Sequence, residues 1–109
     1  MPRYMIQASY TSEAAAAFAS KPQDRVAGLR ALLEQIGAQL DSFDYCLGDY
    51  DVMVTYTAPD DTTAVAITLA VLAPGHLKEY KTTKLLSPEE FMEASRKAAG
   101  AEYQAPSRG

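Results

Sequence analysis

The sequence predicts an α+β domain in which four strands are interleaved with helices, and three observations carry that prediction. Stretches whose apolar residues alternate every second position are interleaved with stretches where they recur every three or four. Helix-start and helix-stop signals stand at the joints, in Asp60-Asp61, Pro74-Gly75 and Ser87-Pro88. A chain of 109 residues, 48% hydrophobic and 22% charged, has the size and composition of one domain with one core.

Residues 3–10 are rich in aromatic and apolar types and read as a strand. Alternation puts Tyr4, Ile6, Ala8 and Tyr10 on one face, and Met5, Gln7 and Ser9 on the other. An alanine-rich helix follows over residues 12–19, with Ser12 as its cap. Pro22 breaks it, because proline lacks an N–H and its ring clashes with the preceding turn. The main helix is expected from about Gln23, with Pro22 in its first turn. Its apolar stripe is Val26, Leu29, Leu33 and Ile36, and Gly37 closes it.

Residues 39–47 alternate again, with Asp41, Phe43, Tyr45 and Leu47 opposite Leu40, Ser42, Asp44 and Cys46. A tight Gly48-Asp49 connection leads to a strand over residues 50–57, with Val52, Val54 and Tyr56 on one face, giving an antiparallel hairpin. Asp60 caps a helix over residues 61–73 that is apolar nearly all round, where a surface helix should carry one stripe. Residues 76–86 form the last strand, with Leu77, Glu79, Lys81, Thr83 and Leu85 opposite Lys78, Tyr80, Thr82, Lys84 and Leu86. Ser87-Pro88-Glu89-Glu90 opens a terminal helix that ends near Gly100. The expected domain is residues 1–100, and residues 101–109 form a small, polar, flexible tail.

The order β-α-β-β-α-β is the split βαβ, or ferredoxin-like, arrangement: a four-stranded antiparallel sheet, helices on one face, and an extra C-terminal helix. Both faces of the first three strands carry apolar or aromatic side chains, so the second face calls for a cover. A second copy of the same sheet supplies it, which predicts a two-fold homodimer. The terminal helix is the rival cover.

Charge and composition exclude several functions. Ten basic residues against 14 acidic give a net charge of −4, without the basic run that nucleic acid requires. One Cys and one His make neither an internal disulfide nor a zinc cluster, so neither a metal nor a cofactor is expected. The longest apolar stretch, residues 64–73, falls short of the roughly 18 residues of a membrane span. The N-terminus lacks the pattern of a signal peptide, and a cytoplasmic location is expected.

Candidate site residues follow from side-chain chemistry. Gly48-Asp49-Tyr50-Asp51 is the sharpest motif. It reads as turn chemistry, with Gly free to take positive φ and Asp capping backbone N–H groups. It also reads as a polar rim where Asp49 and Asp51 share a strand face and a proton. His76 is the one side chain that titrates near neutrality unaided, a candidate base or axial haem ligand, although a helix C-terminus attracts histidine without any site. Seven Tyr stand against no Trp. Tyr10, Tyr45, Tyr50, Tyr56 and Tyr80 are candidate ligand-binding groups, and they suit a sheet-to-sheet interface equally. Cys46 reads as a small buried hydrophobe. Lys78, Lys81 and Lys84 suit an anionic ligand or the charged face of an exposed strand.

Together the motifs resemble the GYD-domain family of small proteins. The resemblance rests on Gly48-Asp49-Tyr50-Asp51, Ala58-Pro59-Asp60-Asp61, Tyr10-Thr11, Ser20-Lys21-Pro22 and Pro88-Glu89-Glu90-Phe91, and extends over about residues 2–95. The stretch from Gly75 to Thr82 departs from the Asn-Val, Arg-Thr pattern usual there. The resemblance implies the ferredoxin-like fold and a dimeric α/β-barrel assembly, and no established activity. Fold-level relatives include cofactor-free monooxygenases, haem-degrading enzymes and lactone isomerases. Three readings follow. One is a homodimer, or higher oligomer, whose sheet and helices enclose a small, mostly apolar pocket that binds a small metabolite without transforming it. Another is a cofactor-independent oxygenase or isomerase, with His76, Asp49 or Asp51 as base and a strand Tyr orienting the substrate. The third is haem binding through His76.

Overall fold

The computed structural model describes residues 1–107. The elements run β1 (Arg3–Tyr10), α1 (Ser12–Ser20), α2 (Arg25–Ile36), β2 (Gln39–Tyr45), β3 (Val52–Thr57), α3 (Asp61–Leu72), β4 (Leu77–Leu85) and α4 (Pro88–Ala99). The strands form one antiparallel sheet in the order β2-β3-β1-β4, the ferredoxin-like topology expected from the element order.

Alternation places the core as the sequence indicates. Tyr4, Ile6 and Ala8 of β1 and Val52, Val54 and Tyr56 of β3 are buried on one face of the sheet. Leu33 of α2 and Ala64 and Ile67 of α3 close over them. Tyr4 and Tyr56, cross-strand partners, stack with ring centroids 5.2 Å apart.

Several boundaries differ from expectation. Thr11, not Ser12, caps α1, accepting a hydrogen bond from the Ala14 N–H. Asp24 caps α2 through the Ala27 N–H, so Pro22 lies before that helix rather than in its first turn. A side-chain acceptor at the cap satisfies a helix N–H that a proline start leaves open. Gly37 ends α2 in the left-handed region, at φ 90°. The link from β2 to β3 is a six-residue turn over residues 46–51, longer than the tight Gly48-Asp49 connection expected. Within it the Cys46 N–H donates to the Asp51 carbonyl at 2.7 Å.

Two bulges break simple alternation. In β2, Leu40 pairs with Tyr56 but Ser42 with Thr55, so Asp41 is the extra residue. Leu40 and Phe43 therefore both pack on the core, while Asp41 accepts from Thr57 and Ser42 bonds to Thr55 on the other face. In β4, Lys78 is extra between Leu77 and Glu79, and Leu77 and Tyr80 share the core side. A strict two-residue period had separated both pairs.

Helix α4 does not cover the sheet's second face. It buries no residue and leaves Phe91 and Met92 exposed, and the molecule measures 59 Å along its longest axis. The radius of gyration is 18.2 Å, against about 13 Å for a compact chain of this length. Residues 101–107 carry no helix or strand, and the tail's last two residues lie outside the described ones. Among the described residues no helix is long and apolar enough to cross a membrane.

Candidate functional site

A cavity of about 430 Å³ opens between the sheet and the helices. Its floor is Ile6, Ala8, Val52 and Val54, and its walls come from Phe18, Leu29, Leu32 and Val71. Small side chains make the room: Ala8, Ala14, Ala17 and Ala70 line it, as does Gly28 in the middle of α2. A glycine inside a helix costs about 1 kcal/mol relative to alanine. A Cβ at Gly28 would touch only the Arg25 guanidinium, 3.8 Å away, so packing does not demand the glycine.

Three of the sequence candidates converge here. Tyr10, Tyr80 and His76 line the cavity, joined by Glu13, Gln23 and Arg25. Tyr10 lies at the end of β1, opposite the bulge in β4, and its ring meets Phe18 edge-on at 4.8 Å. Burial, with Tyr45 nearby, raises the Tyr10 hydroxyl above the ordinary tyrosine value, while Arg25 pulls the other way. Burial also raises Tyr80, opposed by the neighbouring Thr68 and Thr82 hydroxyls. Neither threonine reaches hydrogen-bond geometry, and the buried Tyr80 hydroxyl has no partner. Both phenols therefore stay protonated at neutral pH and act as donors rather than bases. His76 is exposed at the rim, and its carbonyl is fixed by the Thr11 N–H at 2.9 Å.

The other candidates stand elsewhere. Tyr56 is fully buried, and its hydroxyl too lacks a partner. Burial and then the flanking Tyr80 and Tyr4 raise it far above the ordinary value. Tyr45 is exposed, with its ring 5.1 Å from Phe43. Asp51 is a structural clasp: its Oδ2 accepts the Tyr10 N–H at 2.9 Å, and its own N–H donates to the Ala8 carbonyl at 2.9 Å. Asp49 contributes its carbonyl, which the buried Ser9 hydroxyl approaches at 3.4 Å. Asp49, Tyr50, Cys46 and Gly48 border a shallower hollow of about 290 Å³, which meets Gln7 and Met53 on the sheet's other face. Cys46 is exposed, not buried, because the turn begins there. Gly48 does not use positive φ; among the described glycines Gly37 and Gly75 do.

Sequence reasoning missed Arg25, Glu13 and Gln23, which gather only once α1 and α2 fold against the sheet. Gly28 was the available signal, a helix-weakening residue at a position without a turn to make. Among the described residues no group of three or more His, Cys, Asp or Glu could hold a metal ion.

Comparison with known proteins agrees with this architecture. The sequence profile of the GYD domain matches residues 4–95. The crystal structure of MtbAldR, a Mycobacterium protein, superposes with a TM-score of 0.58 at 14% identity, covering 79% of this chain and 52% of that one. The chain thus spans about half the length of that protein, and a likeness at this identity speaks for the fold alone. No curated protein matches in sequence.

Proposed function

Because the chain belongs to the GYD-domain family, which brings a fold without an activity, we propose that it is a homodimeric, cytoplasmic protein that binds a small ligand in the cavity between sheet and helices. The observation that carries this reading is an apolar cavity of about 430 Å³ with Tyr10, His76, Arg25 and the ring of Tyr80 along its wall. A concave, mainly apolar space of this size with a few polar groups at its wall is the usual form of a small-molecule site. The ligand is therefore a small, mainly apolar molecule. The dimer reading rests on the sheet's other face, where Met53 is exposed and Met5 and Leu85 are only half-buried within the chain.

A second reading has its own observation. His76, Tyr10 and Tyr80 line one cavity, the convergence of polar groups a cofactor-independent oxygenase or isomerase needs, with His76 as base and a tyrosine as orienting donor. Asp49 and Asp51 do not reach that cavity, so this reading has His76 as its sole base among the three candidates. Haem ligation has only the position of His76 at the rim behind it.

Native mass spectrometry of the protein as purified, with an absorption scan, tests these readings. The expected result is a dimer carrying a small adduct that Gly28→Leu, which places a side chain against the cavity, removes. A monomer overturns the dimer, and an adduct that survives Gly28→Leu overturns the site. A Soret band would instead favour haem.

A further inference from the structure

Helix α4 is twelve residues long and touches its own domain with no buried side chain. A free helix of that length is marginal in water. Yet α4 carries every local device for a permanent helix: a full Ser87–Glu90 capping box, Pro at its start, Glu89 and Glu90 in its first turn, and Arg96 and Lys97 in its last. At 100° per residue Phe91, Met92, Ala94, Ser95, Ala98 and Ala99 fall within an arc of about 160°, with the charged residues opposite. Such a stripe is built to be covered. Only Leu86 and Ser87 lie between β4 and α4, and from there the helix leaves its own domain without burying a side chain against it.

The same chain has a second apolar stripe without a cover. Val65, Leu69 and Leu72 stand one and two turns apart on the outer side of α3 and are 57%, 66% and 39% exposed. This stripe explains why that helix is apolar all round: one side packs on the sheet through Ala64 and Ile67, and the other faces outward.

We propose that α4 of one protomer packs antiparallel on the Val65–Leu69–Leu72 stripe of α3 in a second copy of this chain. One contact then covers both bare stripes, which pairing α4 with the partner's α4 would not. Charge sets the direction. Antiparallel docking brings Arg96 and Lys97 toward the α3 start, where Asp60 and Asp61 lie. Parallel docking would set Glu89 and Glu90 against those same aspartates. The small residues of α4 (Ala94, Ser95, Ala98) allow the close approach that ridges-into-grooves packing requires. This contact builds on the self-association proposed above, but it uses different surfaces from the sheet face.

Cysteine pairing in a Cys46→Ser background, which removes the exposed native thiol, tests it. Chains carrying Val65→Cys and Met92→Cys, the pair that the Arg96–Asp61 register sets side by side, one of them isotope-labelled, are mixed and mildly oxidised. The expected product is a disulfide between the two different chains, in excess of either self-pair. Dominant Met92→Cys self-pairs, dominant pairs between Met92→Cys and Met53→Cys, or no disulfide overturns the proposal. In sedimentation, Phe91→Asp and Leu69→Asp, both at exposed positions, should each weaken self-association at least tenfold while keeping the circular dichroism spectrum. Unchanged association of both variants overturns it as well. Met5→Cys self-pairs report the sheet face separately: their failure beside a Val65–Met92 link would sink the sheet-to-sheet dimer and leave this contact standing.

Discussion

At the scale of single residues, Asp51 shows how a family motif can serve the fold. Its carboxylate holds the Tyr10 N–H and its backbone holds Ala8, so the turn is fastened to the end of β1 that carries Tyr10 to the cavity. Asp51→Ala should destabilise the protein by about 1–2 kcal/mol in urea denaturation, and Asp51→Asn, which keeps an acceptor, by less. Equal losses would mean that the hydrogen bond is not what matters. The motif's glycine behaves differently: Gly48 has open space at its Cβ position and does not use positive φ, while Gly75 sits at φ +77°. Gly48→Ala should stay within about 0.5 kcal/mol of the parent, and Gly75→Ala should cost about 1 kcal/mol or more. Tyr4 gives the fold a pH signature. Burial, then its 2.5 Å hydrogen bond to Asp61, pushes its hydroxyl up to about 12. An unfolded tyrosine titrates near 10. The folded state keeps its proton longer, so stability holds below about pH 10 and falls as pH rises toward 12. Asp61, held below its ordinary value by Tyr4 and then Lys84, works in the opposite direction: its contribution is present above the unfolded carboxylate value of about 4 and is lost as pH falls through the lower folded one. Tyr4→Phe should flatten the alkaline decline of the urea midpoint, and an unchanged decline would exclude Tyr4 as its source.

Elements were legible where one local rule governed them. The apolar period of β1 and β3, the stop at Gly37 and the cap at Asp60 needed only the sequence neighbourhood, and each matches the structure. Reading failed where tertiary pairing inserted a residue. Nothing local marks Asp41 or Lys78 as a bulge, because the extra residue exists only relative to the facing strand. The cap of α1 moved by one residue for a similar reason: Thr11 and Ser12 have equivalent hydroxyls, and the pairing of the Thr11 N–H with the His76 carbonyl selects Thr11 as the flanking position. A small, mostly apolar pocket between sheet and helices was expected, but its walls were not legible, because the alanines and the glycine that make room for it read as good or poor helix formers.

For the whole molecule, apolar surface stays bare at three places in one chain. The sheet's second face, the outer side of α3 and all of α4 lack a partner within it. If association completes the fold, the melting temperature must rise with protein concentration by mass action. A scan over a hundredfold range should therefore move the midpoint upward, whereas a concentration-independent midpoint would mark the monomer as complete. How copies meet is also constrained by where the two bulges lie. Both interrupt the outermost strands, β2 and β4, and both insert a charged residue, Asp41 in one and Lys78 in the other, while β1 and β3 pair with each other in unbroken register. An open sheet edge invites end-to-end strand addition, the route to fibrils, and a charged bulge spoils the straight ladder that this growth requires. A protein with so much bare apolar surface can thus associate through its faces and helices while its edges resist polymerising.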